Sequence, residues 1–218
     1  MSQSAADQHG SLEPIFFLSY AHARPVRGDD QRDPNRHFAR FFFDLSEDLN
    51  QMIYRETGAD AGAIDQTMDG SERWTEKLLQ DLGTCRAFVA LTSPPYFKRP
   101  WCGMEWGVFD RRVALSGDSP SPKTGLFPVR WTRTDHRTWP QRCAAVQEFS
   151  PNVGRAGTLY RERGLYGLLQ GGPQEVYREV VLQLAQQIAE FCDSTEIQPL
   201  DLTPADVPTL PNVFGEAP

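Results

Sequence analysis

Two uninterrupted apolar runs, IFFLSY at 15–20 and RAFVALTS at 86–93, most constrain what this chain can fold into. Each run is short, and hydroxyl-bearing residues stand at or near its end. Such runs are typical of strands that lie inside a parallel sheet, where helices cover both faces and no side of the strand needs polar residues. Because parallel strands need long crossover connections, the two runs predict an α/β protein.

The segments between and after these runs repeat an order of strand, loop and helix. NRHFARFFFDLSEDLNQMI has apolar residues at helical spacing, and AGAIDQ at 61–66 predicts a weaker strand. Asp69 and Gly70 predict a turn, after which Ser71 is placed to cap the helix ERWTEKLLQDLGTC. A third helix is predicted from Trp101 onward. This order predicts a parallel sheet with crossover helices.

The second half of the chain continues the pattern less clearly. LFPVRW at 126–131 predicts a fourth strand, and AAVQEFS at 144–150 predicts a short fifth one. The Gly-rich segment 151–174 is assigned to no element, whereas PQEVYREVVLQLAQQIAEFC predicts an amphipathic helix. The predicted fold class is therefore α/β, a flavodoxin-like doubly wound parallel sheet of about five strands flanked by helices.

One domain with extensions is the predicted organisation. It comprises a disordered lead-in at 1–13, a domain at 14–193, and a Pro-rich acidic tail at 194–218 that packs weakly or not at all. No apolar run approaches the roughly 20 residues of a membrane span, and the first residues lack the basic and apolar regions of a signal peptide. A cytoplasmic protein without membrane contact is expected.

Charge and cysteine usage narrow the function further. The net charge of −7 argues against a nucleic-acid surface, and the basic stretch at 129–137 is read as a solvated loop. The four cysteines form no CxxC pair or His/Cys cluster, so reduced, mostly buried thiols and no metal are expected. G-x-S-x-G, P-loop and G-x-G-x-x-G motifs are also absent from the sequence.

Three segments follow the predicted strands at the sheet edge where ligands bind in doubly wound folds. FFLSYAHA, AIDQTMDGSERW and FVALTSPPYFKRPWCGMEW resemble the successive boxes of a TIR (Toll/interleukin-1 receptor) domain, especially the bacterial TIR-only type. The resemblance is specific over about 14–114. It includes the spacing from Asp65 to Trp74 and the W-x-x-x-E motif that ends at Glu105.

The resemblance implies two classes of function. Some TIR domains are adaptors that act only by self-association, and others, including many bacterial ones, cleave NAD between nicotinamide and ribose. The motif glutamate is essential in catalytic members, so Glu105 takes that role by position. NAD is then a substrate and no cofactor is expected. Other TIR surfaces and a separate protein are the implied partners, in bacterial defence or signalling, and the product is either linear or cyclised.

The chemistry of the residues agrees with this implied role. Loss of a cationic nicotinamide leaves positive charge on the ribose, which one nearby carboxylate can stabilise. Tyr20 and Trp74 offer flat faces for stacking on nicotinamide or adenine, and Trp101 lies one helical turn before Glu105 and would brace it. The predicted substrate-binding residues are Ser19, Tyr20, His22, Asp69, Gly70, Trp74 and Trp101.

Each assignment has a plainer alternative. Glu105 could be a solvated helix residue, Trp74 a hydrophobic anchor of the second helix, and His22 a loop residue instead of a phosphate contact. Trp106 and Phe109 are expected in the core. An adaptor without catalysis, or a transferase that breaks the same bond on another base, would also fit the pattern.

One departure from the family affects a residue that would contact the negatively charged substrate. Ala21 stands where many catalytic relatives carry Arg, so a cationic contact to the dinucleotide is missing unless Arg24 or Arg27 supplies it. The insert at 22–38 also differs from compact family members, and its sequence does not indicate what it covers.

Overall fold

Four parallel strands form one sheet in the described part of the chain. The computed structural model describes residues 13–23, 33–55, 60–64, 75–115, 124–152 and 154–215. The strands are β1 (Phe16–Ser19), β2 (Gly62–Ile64), β3 (Ala87–Thr92) and β4 (Leu126–Arg130), and they lie in the order β2-β1-β3-β4. This order is that of a flavodoxin-like doubly wound sheet, so the predicted fold class is confirmed, with four strands instead of about five.

The predicted fifth strand at 144–150 is wrong. The chain there leaves a short helix and continues without strand structure, joined to β4 by a bond from the amide of Phe149 to the carbonyl of Pro128, 2.8 Å long. This bond shows that the backbone of Pro128 faces the outer edge of β4. Because proline has no amide hydrogen, a strand added at that edge would lack a ladder hydrogen bond.

Helices cover both sides of this sheet. In the described part of the chain they are α1 (Arg36–Met52), α2 (Glu76–Thr84), α3 (Pro100–Leu115), α4 (Gln141–Ala144), α5 (Arg155–Gly171) and α6 (Gln174–Ser194). Helix α5 fills the segment that the sequence left unassigned. It is kinked at Gly164, which has a φ of 65° and lies against the carbonyl of Trp131. Glycine is required there because a side chain would be strained and would meet that carbonyl.

The start of α2 also differs from the prediction. Its N-cap is Thr75, whose hydroxyl accepts a hydrogen bond from the amide of Leu78 at 3.1 Å. The predicted cap, Ser71, lies outside the described residues and is not the residue that begins this helix. Threonine caps a helix by the same bond that a serine makes.

The core has two layers, one on each face of the sheet. Phe16 and Leu18 of β1 pack with α1, α5 and α6, whereas Phe17 packs with α2 and α3. Alternate side chains of a strand point to opposite faces, so a strand covered on both faces must be apolar throughout. Trp106 and Phe109 are buried in the second layer, as predicted.

Residues 195–215, which we call the strap, run along the outer side of α2 and α3. The amide of Leu200 donates to the carbonyl of Gly83 at 2.9 Å, and the amide of Val213 donates to the carbonyl of Gly103 at 3.2 Å. The expectation that the tail packs weakly or not at all is therefore wrong for this segment. Its apolar residues are spaced irregularly, so they produce no helix or strand pattern that a sequence could reveal.

Two further expectations concern cysteines and membranes. The four cysteines are free, buried thiols, as predicted. Within the described residues, every helix is too short or too polar to cross a bilayer.

Candidate active site at the carboxyl edge of the sheet

The motif glutamate is held inside the protein. Glu105 is only 4% exposed, and its carboxylate accepts a hydrogen bond from the hydroxyl of Ser19. Ser19 ends β1, and the side-chain alternation of that strand places it on the same face as Phe17, toward α3. Glu105 is therefore not a solvated surface carboxylate.

The local sequence explains how α3 presents this residue. After β3, the hydroxyl of Ser93 accepts a hydrogen bond from the amide of Tyr96 at 3.2 Å and so starts a short 3-10 turn, Tyr96–Lys98. Pro100 then begins α3, because its fixed φ suits the first helical position and its missing amide hydrogen is not needed there. Glu105 follows in the second turn of the helix.

A tyrosine extends the hydrogen-bond network of Glu105. The hydroxyl oxygens of Ser19 and Tyr96 are 2.9 Å apart. A serine hydroxyl has one proton, and Ser19 donates it to Glu105, so Tyr96 donates to Ser19 when the carboxylate is ionised. Burial, and then the nearby Cys102 and Glu105, raise the pKa of Tyr96 well above its ordinary value. The phenol therefore keeps the proton that this arrangement needs.

The thiol beside this network is not a nucleophile. Cys102 is fully buried, and its sulfur donates to the carbonyl of Tyr20 at 3.6 Å. Burial and then the charge of Glu105 raise the pKa of Cys102 well above its ordinary value. Because the thiolate is the reactive form, this cysteine serves in packing.

A cleft of about 810 Å³ opens at the same edge, beyond the carboxyl ends of β1, β3 and β4. The edge between β1 and β3 is the point where the strand order reverses, which is where doubly wound folds bind ligands. Aromatic side chains form one wall, with Phe38 stacked on Trp131 at 4.4 Å between ring centroids and Tyr166 beside Trp131 at 5.8 Å.

Three cationic side chains also line the described cleft. Arg36, Lys98 and Arg99 contribute positive charge, and none of the described lining residues is acidic. His37 also lines the cleft, but burial and then Arg36 and Arg40 lower its pKa, so it is neutral at pH 7. This chain with a net charge of −7 thus has a locally cationic cleft.

The structure brings some of the predicted site residues together. Ser19 donates a hydrogen bond to Glu105, and the ring of Tyr20 packs at a tilt against that of His22, with 4.6 Å between ring centroids. His22 lines the cleft, whereas Glu105 is not among its described lining residues. Trp101 is half-buried, with the guanidinium of Arg99 over its ring at 4.9 Å.

Other predicted site residues cannot be placed in this geometry. Asp69, Gly70 and Trp74 lie outside the described residues, as do Arg24 and Arg27. Whether Trp74 lines a site or anchors the second helix stays a prediction.

Comparison with known protein families shows which family this fold belongs to. The family model described as "TIR domain" matches residues 38–151, more than half of the chain. The chain belongs to the TIR domain family. A search among curated proteins found no match. The TIR match includes the W-x-x-x-E motif and most of α1, while β1 and the strap lie outside it.

Sequence reasoning missed several residues of this TIR domain's cleft. The segment that contains Lys98 and Arg99 was predicted to lie at this edge, but neither cation was predicted as a site residue. Trp131 ends the predicted fourth strand, so the same rule for strand ends could have placed it there too. Tyr96 gave no comparable signal, because its link to Ser19 depends on how the turn after β3 folds back.

Among the described residues, no group of three His, Cys, Asp or Glu side chains could hold a metal ion.

The family includes NAD-cleaving members as well as domains that act by association, and TIR domains generally self-associate.

Proposed function

We propose that this TIR domain cleaves NAD and releases nicotinamide, with Glu105 as the essential carboxylate. The observation that carries the proposal is the position of Glu105, fixed by Ser19 at the sheet edge that also holds the cationic, aromatic cleft. NAD has two flat rings and a pyrophosphate with negative charge. Aromatic walls suit the rings, and Arg36, Lys98 and Arg99 suit the pyrophosphate.

The reaction needs a carboxylate near the ribose, but the nicotinamide leaving group needs no proton donor. The bond between ribose C1′ and the nicotinamide nitrogen breaks, and its electron pair neutralises the pyridinium ring. Positive charge develops on the ribose, where a fixed carboxylate stabilises it. The oxygen of water then bonds to C1′ and a proton is released, which gives ADP-ribose. Attack by an adenine nitrogen instead of water would give a cyclic product.

Ser19 and Tyr96 would act by orienting the carboxylate. Their hydroxyls restrain Glu105 before substrate arrives, so less reorganisation is needed as charge develops. The Arg that many catalytic relatives carry is replaced here by Ala21, which lines the cleft, and Lys98 and Arg99 supply cationic charge close by.

The burial of Glu105 bears on how turnover is switched on. With the side chain 4% exposed in the single chain, we expect NAD cleavage to depend on self-association, which in catalytic relatives completes the site with a neighbouring loop. A separate partner protein could promote the same assembly. A bacterial defence or signalling role is part of this proposal and rests on the family resemblance. A cytoplasmic location is proposed as well.

The test is nicotinamide release from NAD by concentrated or bead-clustered protein, run beside Glu105→Gln. The matched control is Glu148→Gln, which neutralises a half-buried carboxylate that pairs with Arg130 at 2.5 Å, away from Ser19 and Tyr96. Loss of a residue that stabilises transition-state charge lowers turnover by about 100-fold or more. We expect that loss in Glu105→Gln and at most a small change in Glu148→Gln.

The other outcomes identify the alternatives. No release by wild type or by Glu105→Gln, under conditions in which the protein assembles, would overturn the proposal and favour an adaptor. Release of a different base from another nucleotide would favour a transferase.

A further inference from the structure

The strap ends on the hydrogen-bond network of Glu105. The ring of Phe214 lies 5.4 Å from that of Tyr96, 5.3 Å from that of Phe97 and 6.5 Å from that of Trp106, measured between centroids. Tyr96 is completely buried, and its hydroxyl reaches Ser19. An aromatic residue from the end of the chain thus packs directly against a side chain that orients Glu105.

Polar contacts fix the beginning of the strap. The buried Arg112 of α3 donates from Nε to the carbonyl of Gln198 at 3.0 Å and from Nη1 to the carbonyl of Leu82 at 2.9 Å. The same guanidinium therefore ties the strap to the end of α2. Charge-assisted hydrogen bonds of this kind are stronger than neutral ones, so the beginning of the strap is held firmly.

Close backbone approach fixes its end. A Cβ on Gly107 would overlap the carbonyl oxygen of Pro211, and a Cβ on Gly103 would overlap the side-chain oxygen of Asn212 and approach the ring of Phe214 to 3.0 Å. These two glycines of α3 face the strap one turn apart. At these two positions no side chain of α3 separates the strap from the helix.

We propose that Phe214 is a positioning residue for Glu105, acting through Tyr96 and Ser19. The strap holds the phenyl ring against Tyr96, and this contact fixes the phenol in the place from which its hydroxyl donates to Ser19. The catalytic part of this inference rests on the proposed function. The segment that supplies Phe214 lies outside the family match at 38–151.

The first test compares Phe214→Ala with Leu202→Ala. Both variants remove apolar bulk from the strap, but Leu202 lies near Gly83 at the α2 end, away from Tyr96. Small displacements of catalytic groups reduce turnover strongly, so we expect kcat for nicotinamide release to fall about 10-fold in Phe214→Ala with KM unchanged. Leu202→Ala should keep its kcat, and Phe214→Leu should recover part of the loss.

A second readout does not depend on activity. Cys102 precedes Gly103 and is fully buried, so its alkylation by iodoacetamide reports local opening of the first turn of α3. The alkylated cysteine is identified by mass spectrometry, which separates Cys102 from the other three thiols. We expect about 10-fold faster alkylation of Cys102 in Phe214→Ala and an unchanged rate in Leu202→Ala.

Each outcome decides the inference. A kcat within twofold of wild type in Phe214→Ala would overturn it. So would equal losses in Phe214→Ala and Leu202→Ala that follow their loss of thermal stability. If wild-type protein releases no nicotinamide, the proposed function fails, and Cys102 decides whether the strap orders the residues around Glu105. Faster alkylation only in Phe214→Ala supports that ordering, and equal rates in both variants overturn it.

Discussion

At the scale of single residues, the phenol of Tyr96 is the side chain whose removal most directly tests the site. Tyr96→Phe keeps the ring that packs on Phe214 but removes the proton given to Ser19, whose oxygen is 2.9 Å away. Loss of one buried hydrogen bond costs about 1 kcal/mol of unfolding free energy. We expect this modest loss, together with a fall of about 10-fold in kcat because the carboxylate is less well oriented.

Tyr160→Phe is the matched control for that variant. Tyr160 is equally buried, and its hydroxyl accepts a hydrogen bond from the amide of Arg130 at 2.7 Å. This bond is separate from those that join Tyr96, Ser19 and Glu105. It should lose similar stability in urea unfolding yet keep its turnover of NAD. Equal turnover in the two variants would show that Tyr96 is structural only.

At the scale of elements, the strap packs closely against glycines of α3. This close packing reverses the usual preference for alanine over glycine inside a helix. Alanine is normally favoured over glycine inside a helix by about 1 kcal/mol. In Gly107→Ala the new methyl group would overlap the carbonyl oxygen of Pro211, so either the helix or the strap must move. Such overpacking costs about 1–3 kcal/mol, and we expect Gly107→Ala to be destabilised by about 1–2 kcal/mol in net.

Gly171→Ala provides the comparison within the same molecule. Gly171 is in the last turn of α5, and no atom lies within 4 Å of the position its Cβ would take. That variant should be neutral or slightly stabilised in a urea titration. If Gly107→Ala were also stabilised, the strap would not be in contact with α3 as described.

The elements that the sequence predicted are those with a regular apolar pattern. The strands around Phe17 and Val89 and the helices α1 and α6 were identified because burial repeats along them. Helix α5 was missed because its glycines break the pattern, and the fifth strand failed because Pro128 withholds a hydrogen bond at the sheet edge. The strap has no period at all, since its contacts are set by a neighbouring surface.

At the scale of the whole molecule, the location of the site could be predicted, but the hydrogen bonds and ring contacts that hold it together could not. Placing Glu105 at the carboxyl edge needed only the order of elements and the family resemblance. Its bond to Ser19 and the reach of Phe214 to Tyr96 join residues 86 and 118 positions apart, and such pairs depend on how the layers pack. Tertiary contacts between residues so far apart along the chain have no signature in a single sequence.

The charge of the whole molecule leads to a prediction about NAD binding. A protein with a net charge of −7 repels an anionic dinucleotide, so the cations of the cleft must offset that repulsion locally. Removing one charge about 4 Å from a phosphate costs about 1 kcal/mol in water, which is roughly fivefold in affinity. We therefore expect Lys98→Gln to raise KM for NAD about fivefold, with kcat unchanged.

Lys77→Gln separates the cleft from the overall charge, because it removes the same charge from an exposed side chain of α2 that pairs with Asp81 at 3.0 Å. Both variants are assayed over a range of NaCl concentrations. For wild type and Lys77→Gln, KM should rise steeply with salt, while Lys98→Gln should show a shallower rise because one screened contact is already missing. Equal KM values in the two variants would mean that the dinucleotide senses only the net charge, and that Lys98 does not contact it.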